Sequence, residues 1–156
     1  MRIAVTGASG HVGNVVCRKL IEQGHEVRAF YRSDDRALKD LNCEKIQGDL
    51  INPKADFNLV HGCDYVIHSA AIISIYGDPT GIVFKTNTEG PRNVLEQSIK
   101  AGVKKIVHLS SSHAVKEYPH GESCDENREY KVEGDFPYDY SKAKGEKIML
   151  EGFRSG

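Results

Sequence analysis

Short apolar, β-branched runs alternate with longer stretches of helical periodicity along the whole chain. Five runs read as strands: RIAVT from Arg2, EVRAFY from Glu26, EKIQ from Glu44, DYVIHSA from Asp64 and KKIVHLS from Lys104. Between and after them, His11 to Gln23, a short stretch near Arg36 to Leu41, Ile82 to Ala101 and Ser141 to Phe153 read as helices. Such alternation calls for crossover connections, so the expected class is α/β with a parallel sheet. Val12, Val15, Val16, Leu20 and Ile21 give the first helix one apolar stripe, and Gly24 stands where a helix-ending glycine belongs. The longest irregular stretch, Ser112 to Pro137, holds Pro119, Gly121 and Gly134 and reads as a functional or mobile loop.

Composition narrows the function more than the fold. A chain of 156 residues with 39% hydrophobic content fits one domain spanning residues 1–156. Its formal charge of −1 is made of interspersed signs, which argues against a nucleic-acid partner or a membrane surface. No apolar run approaches membrane-spanning length, and MRIAVTG opens on a strand rather than a cleavable leader, so a cytoplasmic protein is expected. Cys17, Cys43, Cys63 and Cys124 are scattered without metal or redox spacing; they are expected to be reduced thiols, with no metal site.

The candidate chemistry begins between the first strand and the first helix, at TGASGHVG. Gly7, Gly10 and Gly13 fall three residues apart, in a position where glycines permit a tight turn, close approach of a diphosphate, and close packing of helix on strand. The helix start then offers unpaired N–H groups and a partial positive charge to phosphates. Gly7, Ser9, Gly10, His11, Val12 and Gly13 are therefore the cofactor-binding positions expected of this turn.

TGxxGxxG resembles the cofactor motif of the short-chain dehydrogenase/reductase family. GDL from Gly48, VIHSAA from Val66, TNTEGPRNVLEQS from Thr86, HLSSSHAV from His108 and PYDYSK from Pro137 follow in family order. The likeness is to the extended, epimerase/dehydratase-type subfamily, nearest its dihydroflavonol reductase-like and hydroxysteroid dehydrogenase-like branch. It implies a Rossmann-type doubly wound sheet in the order 3-2-1-4-5, with Asp49 and Leu50 flanking the adenine and Ala70 and Ala71 bordering the ribose and diphosphate. Extended members continue with further strands and a substrate region, so this chain looks truncated before them. The resemblance also implies a possible homodimer through the two long helices.

The choice of nicotinamide cofactor turns on AFYRSDDR. An NAD-type site places an acidic residue after the second strand, whereas here Arg32 offers a fork suited to a 2′-phosphate and Ser33 adds a hydroxyl. NADP is expected ahead of NAD, with Asp34 the residue that would favour NAD.

FPYDYSKAKGE carries two tyrosine–lysine pairs, Tyr138 with Lys142 and Tyr140 with Lys144. Residues four apart share a helix face, while a shift of two turns a side chain by roughly 200°, so the pairs point in nearly opposite directions. From Lys142 the face continues through Gly145, Met149 and Phe153, inward; from Lys144 it continues through Lys147 and Glu151, outward. Tyr138 and Lys142 match the family's YxxxK. An ammonium beside a phenol favours the phenolate, which makes Tyr138 a general acid or base near neutrality, and in the family the lysine also holds the nicotinamide ribose.

Ser112, in the alignment of the family's catalytic serine, is chosen over Ser110 and Ser111 to hold the substrate oxygen, and His113 is expected to line the pocket. Asn87 is the fourth member, although a helix-start amide is an ordinary reading of it. Pro91 lacks an N–H, so the Asn87 carbonyl is left free to accept a water leading toward Lys142. The expected function is an NADP-dependent carbonyl reductase or alcohol dehydrogenase acting on a small molecule. The alternatives are a nucleotide-sugar epimerase or dehydratase and a non-catalytic dinucleotide sensor. The loop's acidic cluster, with Glu122, Asp125 and Glu126, reads as solvated charge.

Overall fold

A computed structural model describes residues 1–52, 59–119, 121, 123–125 and 127–154, the side chain of Phe153 excepted. The Phe153 end of the inward helix face, and Glu122 and Glu126 of the acidic cluster, thus lie outside the described residues. The residues gather into two compact units, 1–70 with 93–109 and 71–92 with 110–156.

The first unit holds β1 (Arg2–Thr6), β2 (Glu26–Tyr31), β3 (Glu44–Gln47), β4 (Tyr65–His68) and β5 (Lys105–His108). They form one parallel sheet in the order β3-β2-β1-β4-β5, the Rossmann order expected. In the register, Ile3 lies opposite Val27 and Tyr65, and Val5 opposite Ala29 and Ile67. Parallel neighbours cannot be joined by a hairpin, and α1 (His11–Glu22) makes the crossover from β1 to β2. Ile3, Val5, Ala8, Cys17, Val27, Ala29 and Leu38 form the buried core, with Val16, Leu20 and Ile21 of α1 packed against it.

The apolar stripe of α1 is rotated from its expected place. Val12 and Val15 are 50% and 52% exposed, while Gly13 and Cys17 turn inward. The reason is contact distance: a Cβ built on Gly13 would lie 2.1 Å from the Gly7 carbonyl oxygen, so the helix comes closest where it has no side chain. The helix ends as expected at Gly24, whose φ of +78° lies in the left-handed region, with Gly24 N donating to Ile21 O and His25 N to Leu20 O. Near Arg36 the expected helix is only a short 3-10 turn, Arg36–Leu38. The four cysteines are free thiols, and burial pushes Cys17 up to about 12.

α2 (Ile82–Lys100) begins where the Asp78 carboxylate accepts from Val83 N at 3.1 Å and Phe84 N at 2.7 Å, satisfying two first-turn donors. In the second unit, α3 (Pro137–Arg154) starts four residues before the expected Ser141, with Pro137 as its first residue. Proline's fixed φ and missing N–H suit a first helical position, and this start places Tyr138 inside the helix. The segment 112–137 is not a plain loop either. It opens with a 3-10 turn, Ser112–Ala114, and folds back so that Val115 bridges Tyr130 antiparallel and Lys116 N donates to Glu129 O at 2.7 Å. Among the described residues no helix is long and apolar enough to cross a membrane.

Candidate active site

The glycine turn follows directly on the carboxyl end of β1. Gly7 has a φ of +67°, and a Cβ there would sit 2.8 Å from Ala70 Cα, so the turn packs against the backbone leaving β4. Gly10 N donates to Gly7 O at 2.9 Å and closes the turn, and Asn14 N donates to Gly10 O at 2.9 Å to open α1. No side chain caps this helix. The N–H groups of His11, Val12 and Gly13 therefore face outward from the helix start without an intrahelical acceptor. Neighbouring bonds hold the turn: Ala70 N donates to Thr6 Oγ1 at 3.2 Å, and Ser69 Oγ to Thr6 O at 2.6 Å. Ser9 is half-buried and His11 exposed. An uncapped helix start behind Gly7 and Gly13, neither of which leaves room for a side chain, fits a diphosphate.

At the end of β2, Arg32 and Ser33 are exposed. The Asp34 carboxylate is engaged by its neighbour: Arg36 donates to it from the backbone N at 3.0 Å and from the guanidinium at 2.7 Å. Those bonds hold the Asp34 carboxyl down at about 2. Among the described residues Arg32 has no acidic partner. Asp49 accepts from Ile51 N at 3.2 Å, within its own turn, while the Leu50 side chain is buried and its carbonyl accepts from Asn93 Nδ2 at 2.7 Å. Leu50 can therefore offer backbone rather than side chain to an adenine, and Ala71 is exposed.

In the second unit, Lys142 is 5% exposed, and burial pushes its ammonium below the ordinary lysine range, with Glu146 partly opposing. Tyr138 is half-buried, no deeper in class than Tyr140, so the expected buried pair is a buried lysine below a half-buried phenol. Lys144 is exposed, but Tyr140 is not simply a solvent residue: its ring stacks on Phe84 with centroids 5.3 Å apart.

The three serines separate by their partners. Ser110 Oγ donates to Glu146, which also accepts from Tyr130 Oη at 2.8 Å, and Ser111 Oγ accepts from His113 N at 3.1 Å as the cap of the 3-10 turn. Ser112 Oγ is exposed and has no hydrogen-bond partner among the described residues. Ser112 and His113 line a cavity of about 420 Å³ with Lys116, Glu117, Cys124 and Arg128. The His113 ring meets Tyr138 edge-on at 6.0 Å, and its Nδ1 lies 3.1 Å from Oδ1 of the buried Asp139. Asp139 is a neighbour that sequence reasoning missed; its signal was an acid placed between the two tyrosines, three residues before Lys142.

Asn87 is buried within α2 rather than at its start. Its Oδ1 accepts from Ile72 N at 2.8 Å, and its Nδ2 donates to Ile72 O at 2.9 Å and to Ser141 Oγ at 2.9 Å. Ser141 Oγ in turn donates to Tyr138 O at 2.6 Å. The amide thus ties the chain at Ile72 to the first turn of α3, and it caps nothing. Its carbonyl, freed by Pro91, faces Gly145 of α3, where a Cβ would lie 2.4 Å away. Part of the space that a water relay needs is taken by α3 itself.

Residues 3–155 match the model of the NAD dependent epimerase/dehydratase family. The chain belongs to that family. Among relatives of the family, it is 35% identical over 157 residues to sterol demethylase protein B of Methylococcus capsulatus, covering 99% of this chain and 48% of the relative. It is 32% identical to 3-beta-hydroxysteroid dehydrogenase of Mycolicibacterium neoaurum, covering 96% and 42%. A short-chain dehydrogenase/reductase superfamily protein from Agrobacterium tumefaciens, solved with bound NAD, superposes with a TM-score of 0.86 at 30% identity, over 100% of this chain and 46% of that one. The chain thus spans under half the length of these family members.

Proposed function

We propose that this chain binds NADP and serves a carbonyl reductase or secondary-alcohol dehydrogenase. The observation that carries the reading is Lys142, a lysine buried one helical turn after Tyr138 in a family whose description names a nicotinamide cofactor. When bound, that cofactor supplies the hydride donor or acceptor.

The residues divide the remaining work. Gly7, Ser9, Gly10, His11, Val12 and Gly13 hold the diphosphate through backbone N–H groups and the start of α1. Arg32 and Ser33 take the 2′-phosphate, a reading supported by the engagement of Asp34 with Arg36. Asp49 and the Leu50 backbone flank the adenine, and Ala70 and Ala71 border the ribose and diphosphate. Tyr138 donates a proton to the substrate oxygen in reduction and withdraws it in oxidation, a role worth roughly 10²–10⁴ in rate. Lys142 favours the phenolate by its charge and holds the nicotinamide ribose. Ser112 donates its uncommitted hydroxyl to the substrate oxygen, and Asn87 steadies the first turn of α3 through Ser141. A homodimer would cover exposed Ile82 on α2 and Leu150 on α3.

A second reading follows from the family's description: an epimerase or dehydratase uses the same residues with a cofactor that is recycled in place. Tight retention of cofactor through purification, with no net NADPH consumption, favours it. A dinucleotide sensor is disfavoured by the presence of both Tyr138 and Lys142.

The test is NADPH oxidation with a panel of ketones and aldehydes, comparing the wild type with Tyr138→Phe. Loss of turnover by about 10²-fold or more with cofactor affinity intact supports the proposal. Turnover that survives the substitution refutes the role of Tyr138.

A further inference from the structure

The second tyrosine–lysine pair has no part in that chemistry, yet it lines a cavity of its own. Tyr140, Lys144 and Lys147 of α3, with Lys131, Val132 and Glu133, enclose about 220 Å³. This is below the roughly 300–1,000 Å³ typical of pockets for drug-sized ligands, so the occupant is small. Its lining holds three lysines and one glutamate, a formal excess of two positive charges among those side chains.

Two of the three lysines are weakly committed. Lys144 is exposed and has no acidic partner among the described residues. The Lys147 ammonium sits 4.8 Å from the centroid of the Tyr130 ring, a contact that leaves its charge uncompensated. Lys131, only 15% exposed along its side chain, is held by two ion pairs longer than hydrogen bonds, to Glu117 at 3.9 Å and Asp139 at 4.0 Å. Two nearby acids are engaged by other donors: Asp135 accepts from Val132 N at 2.7 Å, and Glu146 accepts from Ser110 and Tyr130. The wall is also fixed in place, because Lys131 N donates to Ala114 O at 2.9 Å and the Tyr140 ring stacks on Phe84.

We infer that this cavity is an anion site for a phosphoryl group, held by Lys131, Lys144 and Lys147 with the Tyr140 hydroxyl as a further donor. Lysine ammonium groups bind phosphate as point charges, and Lys144 and Lys147 supply the two that no carboxylate among the described residues engages. Glu133 sets a preference for a compact group that can keep to the lysine side. The shared chemistry admits two sources, free phosphate or the phosphate ester of a small organic molecule. Val132 and the Tyr140 ring offer apolar surface to the second.

Titration with inorganic phosphate and, separately, phenyl phosphate, followed residue by residue through backbone amide resonances, tests the site and tells it apart from phosphate at Gly7 to Gly13. Saturable shifts at Lys131, Tyr140, Lys144 and Lys147, with a dissociation constant on the order of 1–10 mM at low salt, are expected. Lys144→Glu combined with Lys147→Ala weakens binding at least about tenfold, while Lys144→Arg with Lys147→Arg retains it. Tighter phenyl phosphate identifies an ester as the source, and equal affinity identifies free phosphate. Shifts confined to the glycine turn, or binding unchanged in the Lys144→Glu, Lys147→Ala variant, overturn the inference.

Discussion

Gly145 of α3 stands so close to Asn87 of α2 that a single added carbon would lie 2.4 Å from the Asn87 carbonyl oxygen. That oxygen is available for close approach because Pro91, four residues on, has no N–H to give it. A proline inside one helix and a glycine on the other are thus two halves of one contact, and Lys142 lies one turn before the glycine on the same helix.

Gly145→Ala is accordingly an overpacking substitution, although alanine is the better helix former. The neighbour is backbone and cannot turn aside, so a cost of about 1–3 kcal/mol is expected. Thermal unfolding reads this as a fall of about 2–4 °C per kcal/mol. An unchanged or raised midpoint would show that the two helices are not in contact at this point.

Replacement of Lys142 by methionine separates stability from function. Burial disfavours the ammonium in the folded protein, so its folded titration lies below the unfolded value of 10.5. Between those two values the unfolded chain binds more protons, and wild-type stability rises with pH. Lys142→Met removes the penalty. The variant should be more stable than wild type at neutral pH, with a difference that shrinks as pH rises from the lowered folded value toward 10.5, and should lose turnover. Paired melts across pH check this; a variant destabilised at neutral pH contradicts it.

Serine substitutions distinguish the three candidates by where their hydroxyls are spent. Ser111→Ala removes a cap and costs about 1 kcal/mol. Ser110→Ala deprives Glu146 of a donor. Ser112→Ala leaves the melting temperature unchanged and lowers turnover by roughly 10²–10³, as for loss of one donor to a developing oxyanion. Equal turnover in Ser112→Ala and wild type would return the choice to Ser110 or Ser111.

The alternation of strands and helices, the glycine turn and the four-residue spacing of Tyr138 and Lys142 were legible in the sequence because each rests on local spacing, whereas the strand order was implied by the family resemblance. Parallel alternation, glycine at fixed offsets and a helical period of four need no knowledge of distant contacts. What spacing could not tell was which atoms a polar side chain meets. Asn87 reads as the fourth member of the site, with a helix-start amide as the alternative, and neither reading finds its partners, Ile72 and Ser141, far along the chain. Asp139 attracted no notice between two tyrosines, and its contact with His113 depends on the fold of residues 112–137. The rotation of α1 that exposes Val12 and Val15 follows from one steric approach at Gly13, which an apolar count along the helix does not register.

The proposed choice of NADP rests on Arg32, which is exposed after β2 while Asp34 is engaged by Arg36. Calorimetric titration of NADPH and NADH against the wild type and Arg32→Ala is the most direct measurement of the central claim. Tighter binding of NADPH by wild type, falling about tenfold or more in the variant with NADH little changed, is the result predicted, a loss of about 1.4 kcal/mol. Equal affinity for both cofactors in wild type contradicts the choice of NADP, and no binding of either contradicts the reading of the glycine turn itself.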